Sequence, residues 1–483
     1  MMGQLARAIV SVLALGQAGE AEKPARADSD RPNLVFILAD DLGWTDLGCF
    51  GSGYYKTPNI DRLARQGRKF TDAYSCGPNC QPTRAALMSG QYGPRTGIYT
   101  VGSTRRFDTH ERPLVPVQNV TTLDPGITTV AESLKKAGYA TGMFGKWHLG
   151  EDAEHHPSAQ GFDEAIVSMG RHFDFKTNPK VEVDKNAYLA DFLTDQSVDF
   201  LKRHKSEKFF LYLPHFAVHS PFEAKKDEIA KFQGQPPAGG HHDPTYAAMI
   251  ASLDQSVGRV LETLDNLGLA DNTVVIFSSD NGGVGGYKAL GLPRNGITDN
   301  APLRGGKGML YEGGIRVPFI ARWPGHIPSG TTCDEPILSV DLYPTLVDLA
   351  GGSMPKNQAA DGQSLVPCLT TAGECDLPRD ALYWHFPGFL GQGKNHWRTT
   401  PAGAIRQGDY KLIEFFEDGH TELYNLRDDI GEQHDLSSKM PEKARDLHQK
   451  LVSWRESINA PMPRKRTASD PKNAEVPQKQ LAD

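Results

Sequence analysis

Four stretches of continuous apolar residues lie within the first 280 positions, and each ends at charged or polar side chains. They are NLVFILA before Asp40, ATGMFG before Lys146, KFFLYLP before His215 and NTVVIFSS before Asp280. Runs of this kind are typical of strands that are covered on both faces of a sheet. Between them, NIDRLARQGRKF, TVAESLKKAG and AAMIASLDQSVGRVLETLDNLG show the three- and four-residue apolar spacing of helices. The alternation predicts an α/β fold with a large, mostly parallel sheet sandwiched by helices.

The pattern changes after about residue 380. There GAIRQGDYKLIEFF and TELYNL favour antiparallel strands, and MPEKARDLHQKLVSWRESI favours an amphipathic helix. We predict a large α/β domain over residues 31–375, a smaller C-terminal α+β domain with an antiparallel sheet over residues 376–460, and a polar tail over residues 461–483.

The first 21 residues, MMGQLARAIVSVLALGQAGEA, are typical of a secretory signal peptide. Arg7 supplies the positive charge, AIVSVLALG the apolar core, and Ala21 the end of a small-residue cleavage site. An N-terminal extension without this role is the alternative. No later stretch is apolar enough to span a membrane. We therefore expect an exported protein, periplasmic or secreted.

The composition is that of an ordinary globular protein, with 39% hydrophobic and 23% charged residues among 483. The formal net charge is -7 and no basic block stands out, which argues against a nucleic-acid partner. Six cysteines are too few for a disulfide scaffold. Cys368 and Cys375, however, bracket a short polar loop that a disulfide bridge would close.

Two of the predicted strands end in carboxylate or amide side chains. Asp40 and Asp41 follow the first strand, and Asp280 and Asn281 follow the fourth. Adjacent carboxylates repel each other unless a cation compensates, and α/β sheets bind ligands beyond the carboxyl ends of their strands. These oxygen ligands suit one hard divalent metal, Ca²⁺ before Mg²⁺. Solvated turns and helix caps are the alternative interpretation.

The stretch CQPTRAALMSG, residues 80–90, places a cysteine at the predicted start of a helix. Pro82 suits a first helical turn, and a helix N-terminus favours anions. Arg84 lies one turn further on and can donate two hydrogen bonds back toward Cys80. Four roles for Cys80 compete: a disulfide with Cys76, a thiol nucleophile, a metal ligand, or the precursor of another group.

Further cationic and imidazole groups occupy similar positions. GKWHLG places Lys146 and His148 on one side of an extended segment, and HFAVHSPF carries His215 and His219. Glycines before Lys307 in LRGGKGMLYEGG let the backbone approach a ligand closely. Taken singly, such residues are more often surface or satisfied core residues. Their shared position at strand ends or in glycine-rich loops indicates a site.

CQPTRAALMSGQY resembles the signature of the formylglycine-dependent (type I) sulfatases of the alkaline phosphatase superfamily, which reads Cys or Ser, any residue, Pro, any residue, Arg. GKWHLG resembles the second signature of that family. NLVFILADDLG, HFAVHSPF, SDNGG, RGGKGMLYEGGIRVPFIARWPG and DLYPTLVDLAG also occur in the family's order. The similarity spans about residues 31–460, and this many ordered motifs make the resemblance highly specific.

The resemblance implies that a separate formylglycine-generating enzyme oxidises Cys80 to an aldehyde, which hydrates to a geminal-diol nucleophile. The metal ligands that it implies are Asp40, Asp41, Cys80, Asp280 and Asn281. The catalytic or sulfate-binding residues that it implies are Cys80, Arg84, Lys146, His148, His219 and Lys307. Ser168 is a weaker match, and His215 has no firm counterpart. The implied activity is that of an arylsulfatase-like sulfuric ester hydrolase.

The segment YWHFPGFLGQGKNHW, residues 383–397, combines aromatic rings with polar side chains, which suits a sugar. Similar loops in the family line the leaving-group side, so we expect His385, Lys394 and His396 to bind a sulfated carbohydrate. A buried edge strand and a loop without that role are the alternative. Two other functions stay open: a phosphodiester or phosphonate monoester hydrolase of the same superfamily, and a catalytically silent carbohydrate-binding relative.

Overall fold

The computed structural model describes residues 31–105, 109, 111–293, 296–393 and 396–470. The predicted signal peptide and residues 471–483 of the predicted tail lie outside these ranges. Among the helices in these ranges, none has the length and apolar character needed to cross a bilayer.

Strands and helices alternate along the first part of the chain, as the apolar pattern predicts. The strands are β1 Asn33–Ala39, β2 Arg68–Phe70, β3 Ala73–Tyr74, β4 Leu114–Val115, β5 Ala140–Gly145, β6 Glu164–Val167, β7 Phe209–Pro214, β8 Thr273–Ser279, β9 Phe319–Arg322, β10 Thr331–Cys333, β11 Ile337–Leu338, β12 Leu382–Phe386, β13 Leu390–Gly393, β14 His396–Thr399, β15 Ala402–Gln407, β16 Tyr410–Phe415, β17 Thr421–Asn425 and β18 Arg464–Lys465. The α-helices are α1 Pro58–Gln66, α2 Cys80–Ser89, α3 Gly93–Thr96, α4 Val130–Lys136, α5 Leu189–Arg203, α6 Lys226–Ala230, α7 Pro244–Asn266, α8 Glu312–Ile315, α9 Leu342–Leu349, α10 Val366–Thr370 and α11 Pro441–Ser457.

The main sheet has eight strands in the order β10-β2-β9-β8-β1-β7-β5-β6. The five strands from β8 to β6 run parallel to one another, whereas β9 is antiparallel to both β8 and β2. The prediction of a large, mostly parallel sheet is confirmed. The four apolar runs identified in the sequence are β1, β5, β7 and β8, which lie side by side in the centre of the sheet.

Strand β1 is apolar from Leu34 to Ala39 because helices cover both of its faces. Leu34, Phe36 and Leu38 belong to a buried cluster that includes residues of α2, α4 and α9. Val35 and Ile37, on the opposite face, belong to a second buried cluster with residues of α1, α5 and α7. Burial of both sets removes apolar surface from water on each side of the sheet, which gives a three-layer sandwich.

One predicted helix is shorter than its apolar spacing indicates. NIDRLARQGRKF has helical spacing as far as Phe70, but α1 ends at Gln66 and Arg68–Phe70 forms strand β2. At Gly67 the chain passes so close to β9 that a Cβ atom would lie 2.2 Å from the carbonyl oxygen of Ala321. Only glycine fits there, so the sheet contact ends the helix.

The C-terminal part of the chain forms a second layer of antiparallel structure. Strands β12, β15, β16 and β17 pair in that order, and α11 packs on one face through Leu447 and Leu451. The other face contacts the main domain, where the indole Nε1 of Trp384 donates a hydrogen bond of 2.8 Å to the carbonyl oxygen of Ser75. The predicted α+β character is confirmed, and the boundary at residues 375 and 376 stays a prediction.

Buried ion pairs join the two domains. Lys411 on β16 donates hydrogen bonds of 2.9 Å to carboxylate oxygens of both Glu312, at the start of α8, and Glu432. Arg316 also donates to Glu312, at 2.7 Å. Burial raises the pKa of Glu432 to about 7, with the charge of Glu312 adding to the shift and Lys411 opposing it. The pKa of Glu312 is lowered, because Lys411 and Arg316 outweigh the effect of burial.

Glu432→Gln is expected to flatten the dependence of stability on pH. A raised pKa in the folded state means that Glu432 contributes most stability below pH 4.5, its ordinary pKa, and loses it as the pH rises through 7. Between pH 5 and pH 8, the wild-type free energy of unfolding should fall by about 2 kcal/mol relative to the variant. Urea denaturation across this range measures the difference. Glu442→Gln, at an exposed position of α11, is the control; parallel profiles for wild type and Glu432→Gln would contradict the expectation.

Two further contacts involve cysteines and the tail. Cys368 and Cys375 form a disulfide, as the sequence predicts. Strand β18, in the first part of the predicted tail, pairs with β4 of the main domain. Arg466 extends this contact by donating to the carbonyl oxygens of Arg112 and Thr109, each at 3.0 Å.

Candidate active site

The predicted site residues follow neighbouring parallel strands and therefore meet at one edge of the sheet. Asp40 follows β1, Lys146 follows β5 and Asp280 follows β8. The segment after β7 also belongs to this edge, because the carbonyl oxygen of Ala217 accepts a hydrogen bond of 2.9 Å from the amide of Asp40. The strand order thus brings together residues that are far apart in the chain, such as Asp41 and Asn281, which are separated by 240 positions.

Three buried carboxylates and three buried cations form the centre of this cluster. Lys146 Nζ lies 2.6 Å from Asp40 Oδ2, and Lys307 Nζ lies 2.8 Å from Asp41 Oδ2. The third pair joins Arg84 to Asp280, through two hydrogen bonds of 2.9 and 2.7 Å. Each carboxylate thus has a cationic partner, which offsets much of the desolvation cost of burying all six charged groups.

Cys80 begins helix α2, as the sequence predicts, and its thiol faces the carboxylates. Its Sγ atom lies 3.3 Å from Asp40 Oδ1 and 3.7 Å from Asp41 Oδ1. Burial, together with the charges of Asp280 and Asp40, raises the pKa of the thiol well above its usual range. Cys76 and Cys80 are both free cysteines. A disulfide between them is therefore excluded, and an unmodified Cys80 is poorly suited to act as a thiolate nucleophile.

Arg84 lies one turn after Cys80 and is fully buried. Its Nε and Nη2 atoms donate to Asp280, and Nη1 donates to the carbonyl oxygen of Lys146 at 2.6 Å. The expected pair of hydrogen bonds toward Cys80 is therefore made to Asp280, because that carboxylate presents a charged acceptor on the same side of the helix. Arg84 links the ends of β5 and β8 beneath the thiol.

Lys307 and His219 face each other above Asp41. Lys307 Nζ lies 3.2 Å from His219 Nε2, and that nitrogen lies 3.6 Å from Asp41 Oδ2. His219 Nδ1 contacts the carbonyl oxygen of Ser220 at 2.7 Å, so this nitrogen carries the proton and Nε2 faces the site. Burial would raise the pKa of Asp41, but the charges of Lys307, His219 and Lys146 outweigh it and lower the pKa.

His148 lies in a left-handed backbone conformation, with a φ of 65°. Its Nδ1 atom is buried without a hydrogen-bond partner among the described residues. Burial and the nearby charges of Lys146 and Arg84 lower the pKa of His148 well below its usual range. The imidazole is therefore neutral at physiological pH and retains an open acceptor position.

The donor set fits a divalent metal. Single ligand atoms of Asp40, Asp41, Cys80 and His219 lie within 4.8 Å of one another. The Oδ1 atom of Asn281 is buried without a partner in the described part of the chain, and its amide nitrogen donates to Asp41 Oδ1 at 2.8 Å. A buried carbonyl oxygen without a donor beside several carboxylates is the arrangement that a hard cation satisfies.

Comparison with known proteins agrees with this geometry. The family model described as Sulfatase matches residues 32–353, and the model described as N-sulphoglucosamine sulphohydrolase, C-terminal, matches residues 306–457. The chain belongs to the sulfatase family. It is a type I sulfatase of the alkaline phosphatase superfamily and an enzyme of the sulfuric ester hydrolase class.

Individual relatives match this sulfatase over most of their length. A protein named sulfatase from Formosa agariphila is 36% identical, over 90% of this chain and 90% of its own. Human N-acetylgalactosamine-6-sulfatase is 34% identical, over 78% of this chain and 74% of its own. The crystal structure of Ps i-CgsB in complex with k-i-k-neocarrahexaose superposes with a TM-score of 0.73 at 31% identity, covering 88% of this chain and 92% of that one.

Of the residues predicted to bind substrate, His385 and His396 lie within the described ranges and Lys394 does not. His385 on β12 is buried, and its Nε2 donates to the carbonyl oxygen of Pro461 at 2.9 Å. Burial lowers its pKa to about 4. His396 is exposed on β14, and Lys394 lies outside the described residues. The contacts of His385 are those of a structural residue.

The two uncertain candidates also make structural contacts in the sulfatase. Ser168 Oγ donates to the carbonyl oxygen of Lys176 at 2.8 Å. His215 Nε2 lies 2.9 Å from Ser256 Oγ, and burial lowers the pKa of His215 to about 3. His215 therefore anchors the segment after β7 to helix α7 as a neutral group.

Sequence reasoning missed two residues that fix His219. His172 Nε2 lies 2.8 Å from the carbonyl oxygen of His219, and the ring of Phe216 packs 5.0 Å from the His219 ring. Phe216 also lies beneath Lys146, whose Nζ is 5.6 Å from the ring centroid. His172 belongs to no recognisable motif, and it lies 47 positions from His219 in the chain, so no sequence pattern indicates this contact.

Proposed function

We propose that this sulfatase hydrolyses sulfate monoesters of a sulfated carbohydrate through a formylglycine made from Cys80. The observation that carries the proposal is the position of Cys80, buried at a helix start and within 3.7 Å of two carboxylates. When present, formylglycine supplies a hydrated aldehyde as nucleophile and releases sulfate by re-forming the aldehyde. A formylglycine-generating enzyme is the required partner, acting before or during export.

The cations of the cluster bind the sulfate group in this proposal. Arg84, Lys146 and Lys307 are buried beside Cys80, so a sulfate monoester anion placed there meets three positive charges in a site that excludes water. Fixed donors in a desolvated site stabilise developing negative charge more than solvent does, because they need no reorganisation.

The two histidines take part in different proton transfers, one at the leaving oxygen and one during release of sulfate. Lys307, and His219 when its Nε2 is also protonated, lie 3.2 Å apart and are positioned to protonate the leaving oxygen of the sugar. His148 is suited to accept a proton as the base that releases sulfate, because its Nδ1 has no hydrogen-bond partner among the described residues and its lowered pKa leaves the imidazole unprotonated.

We propose Ca²⁺ as the metal, with Mg²⁺ as the alternative, held by Asp40, Asp41, Asp280, Asn281 and the modified Cys80. The metal supplies Lewis-acid stabilisation of negative charge when it is bound. The all-oxygen ligand set supports a hard cation, and a set of this size favours Ca²⁺ over the smaller Mg²⁺.

A sulfated sugar is supported as substrate by the relatives. One relative is named for N-acetylgalactosamine-6-sulfate ester cleavage, and the solved structure is a complex with k-i-k-neocarrahexaose. N-acetylgalactosamine 6-sulfate is therefore the first sugar to test.

The proposal is tested by coexpressing the chain with a formylglycine-generating enzyme and comparing sulfate with phosphate esters. We expect release of inorganic sulfate from 4-nitrophenyl sulfate and from N-acetylgalactosamine 6-sulfate, with a kcat/KM above that for 4-nitrophenyl phosphate. Mass spectrometry of the Cys80 peptide should show conversion of the thiol to an aldehyde. Faster cleavage of phosphodiesters or phosphonates would support the alternative hydrolase, and a persistent thiol in active protein would contradict the mechanism.

A further inference from the structure

Arg398 on β14 lies at the edge of the active site, next to the loop that carries Lys307. Its guanidinium carbon lies 4.6 Å from the ring centroid of Tyr287. The hydroxyl of Tyr287 donates a hydrogen bond of 2.9 Å to the carbonyl oxygen of Lys307. One buried ring therefore connects the proposed sulfate-binding lysine to the arginine.

The stem of Arg398 is held against the residue that follows Lys307. Gly308 has a φ of 91°, and a Cβ atom there would lie 2.9 Å from Arg398 Cδ and 2.7 Å from Leu390 Cδ2. Glycine is required at this position, because both the backbone conformation and the close approach exclude a side chain. These contacts fix where the guanidinium lies relative to the site before any substrate binds.

The charge of Arg398 has no carboxylate partner among the described residues, and its Nε atom is buried without a hydrogen-bond acceptor. Arg112, which packs on the rings of Phe389 and Trp397 nearby, is paired with the carboxylate of Glu417. A buried guanidinium Nε–H without an acceptor is unfavourable in the free protein, and an oxyanion satisfies it with a strong, charge-assisted hydrogen bond.

We propose that Arg398 selects sugars that carry a second anionic group, a sulfate or a carboxylate, beside the sulfate ester that is cleaved. This inference rests on the proposed function and adds a specificity-determining residue to it. Arginine suits the role because its planar fork of donors matches both oxyanions. The guanidinium of Arg398 stacks on the ring of Tyr287, and its stem packs where Gly308 has no side chain. These contacts keep the guanidinium beside the loop that carries Lys307.

The test measures binding rather than turnover, so that it does not depend on modification of Cys80. In a Cys80→Ala background, isothermal titration calorimetry compares N-acetylgalactosamine 6-sulfate with N-acetylgalactosamine 4,6-disulfate and with a glucuronate-containing disaccharide of the 6-sulfate. We expect at least one doubly anionic ligand to bind roughly 10-fold tighter than the monosulfate. Adding Arg398→Ala should remove this preference, because the affinity for the doubly anionic ligand should fall roughly 10-fold more than the affinity for the monosulfate.

The two doubly anionic ligands distinguish a second sulfate from a carboxylate as the group that Arg398 binds. Arg427→Ala, which removes an exposed arginine of the same domain, is the matched control and should keep the preference. Equal preference with and without Arg398, or an equal loss of affinity for all three ligands, would overturn the inference. A wild-type enzyme that releases no sulfate from any sugar would instead refute the proposed function.

Discussion

Cys80→Ala is expected to reduce sulfate release by roughly 10⁴-fold or more, which is the scale of losing a catalytic nucleophile. Alanine leaves no group that can be oxidised to an aldehyde. The charged groups around it remain, since Arg84, Lys146 and Lys307 are each paired with an aspartate and not with the thiol. Initial rates with 4-nitrophenyl sulfate, measured on both proteins after coexpression with a formylglycine-generating enzyme, give the ratio.

Cys76→Ala is the matched control for this substitution. Cys76 is also a free and buried cysteine, four positions earlier in the chain, and its side chain belongs to the cluster between the two domains. Its replacement should change turnover only a few-fold. If Cys80→Ala retained the wild-type rate, the formylglycine mechanism would have to be abandoned.

Lys411→Met is expected to lower the free energy of unfolding by about 3–5 kcal/mol, the cost of leaving buried charges uncompensated. Lys411 is fully buried and is the group that bridges Glu312 and Glu432. Its removal leaves Glu432 buried without this cation and Glu312 with Arg316 still bonded, so the two neighbouring carboxylates must repel each other or take up a proton. Because Glu312 begins α8, five residues after Lys307, we also expect a decrease in kcat/KM.

Lys439→Met is the control, because it removes the positive charge of an exposed lysine just before α11. Chemical denaturation of both variants shows whether the loss of stability is specific to the buried Lys411. The control should change the midpoint little. Adding Glu432→Gln to Lys411→Met should restore part of the lost free energy of unfolding, because it replaces one of the two buried carboxylates with a neutral amide. A stable Lys411→Met variant that gains nothing from the second change would show that Lys411 does not offset these charges.

The central sheet was predictable because its strands are buried on both faces. A residue such as Phe36 or Val35 is apolar whichever layer it meets, so the continuous run identifies the strand without knowledge of the partners. The convergence of Asp40, Lys146 and Asp280 followed from parallel strand direction alone. By contrast, the ion pairs of these residues depend on side-chain geometry across three strands, which no local pattern encodes.

The substrate side of the site was harder to predict. His385 was chosen because it lies among aromatic residues, yet burial in β12 directs its Nε2 to the carbonyl oxygen of Pro461. Arg398, the residue directly after the segment 383–397, has no distinguishing motif. Its position depends on the pairing of β13 with β14 and on the space left by Gly308, and both are tertiary features.

Strand β18 follows the C-terminal domain in the chain and pairs with β4 of the main domain, so it links the two domains. Thr109 and residues 111–117 are contacted on one side by Arg466 and β18, and Arg112 among them forms an ion pair with Glu417. The same stretch also contacts the C-terminal domain directly, where the amide of Val117 donates a hydrogen bond to the carbonyl oxygen of Pro387. The C-terminal domain is therefore not an independent module. To replace it with that of a relative, residues 461–466 and the stretch of the main domain that they contact must be replaced by the relative's residues as well.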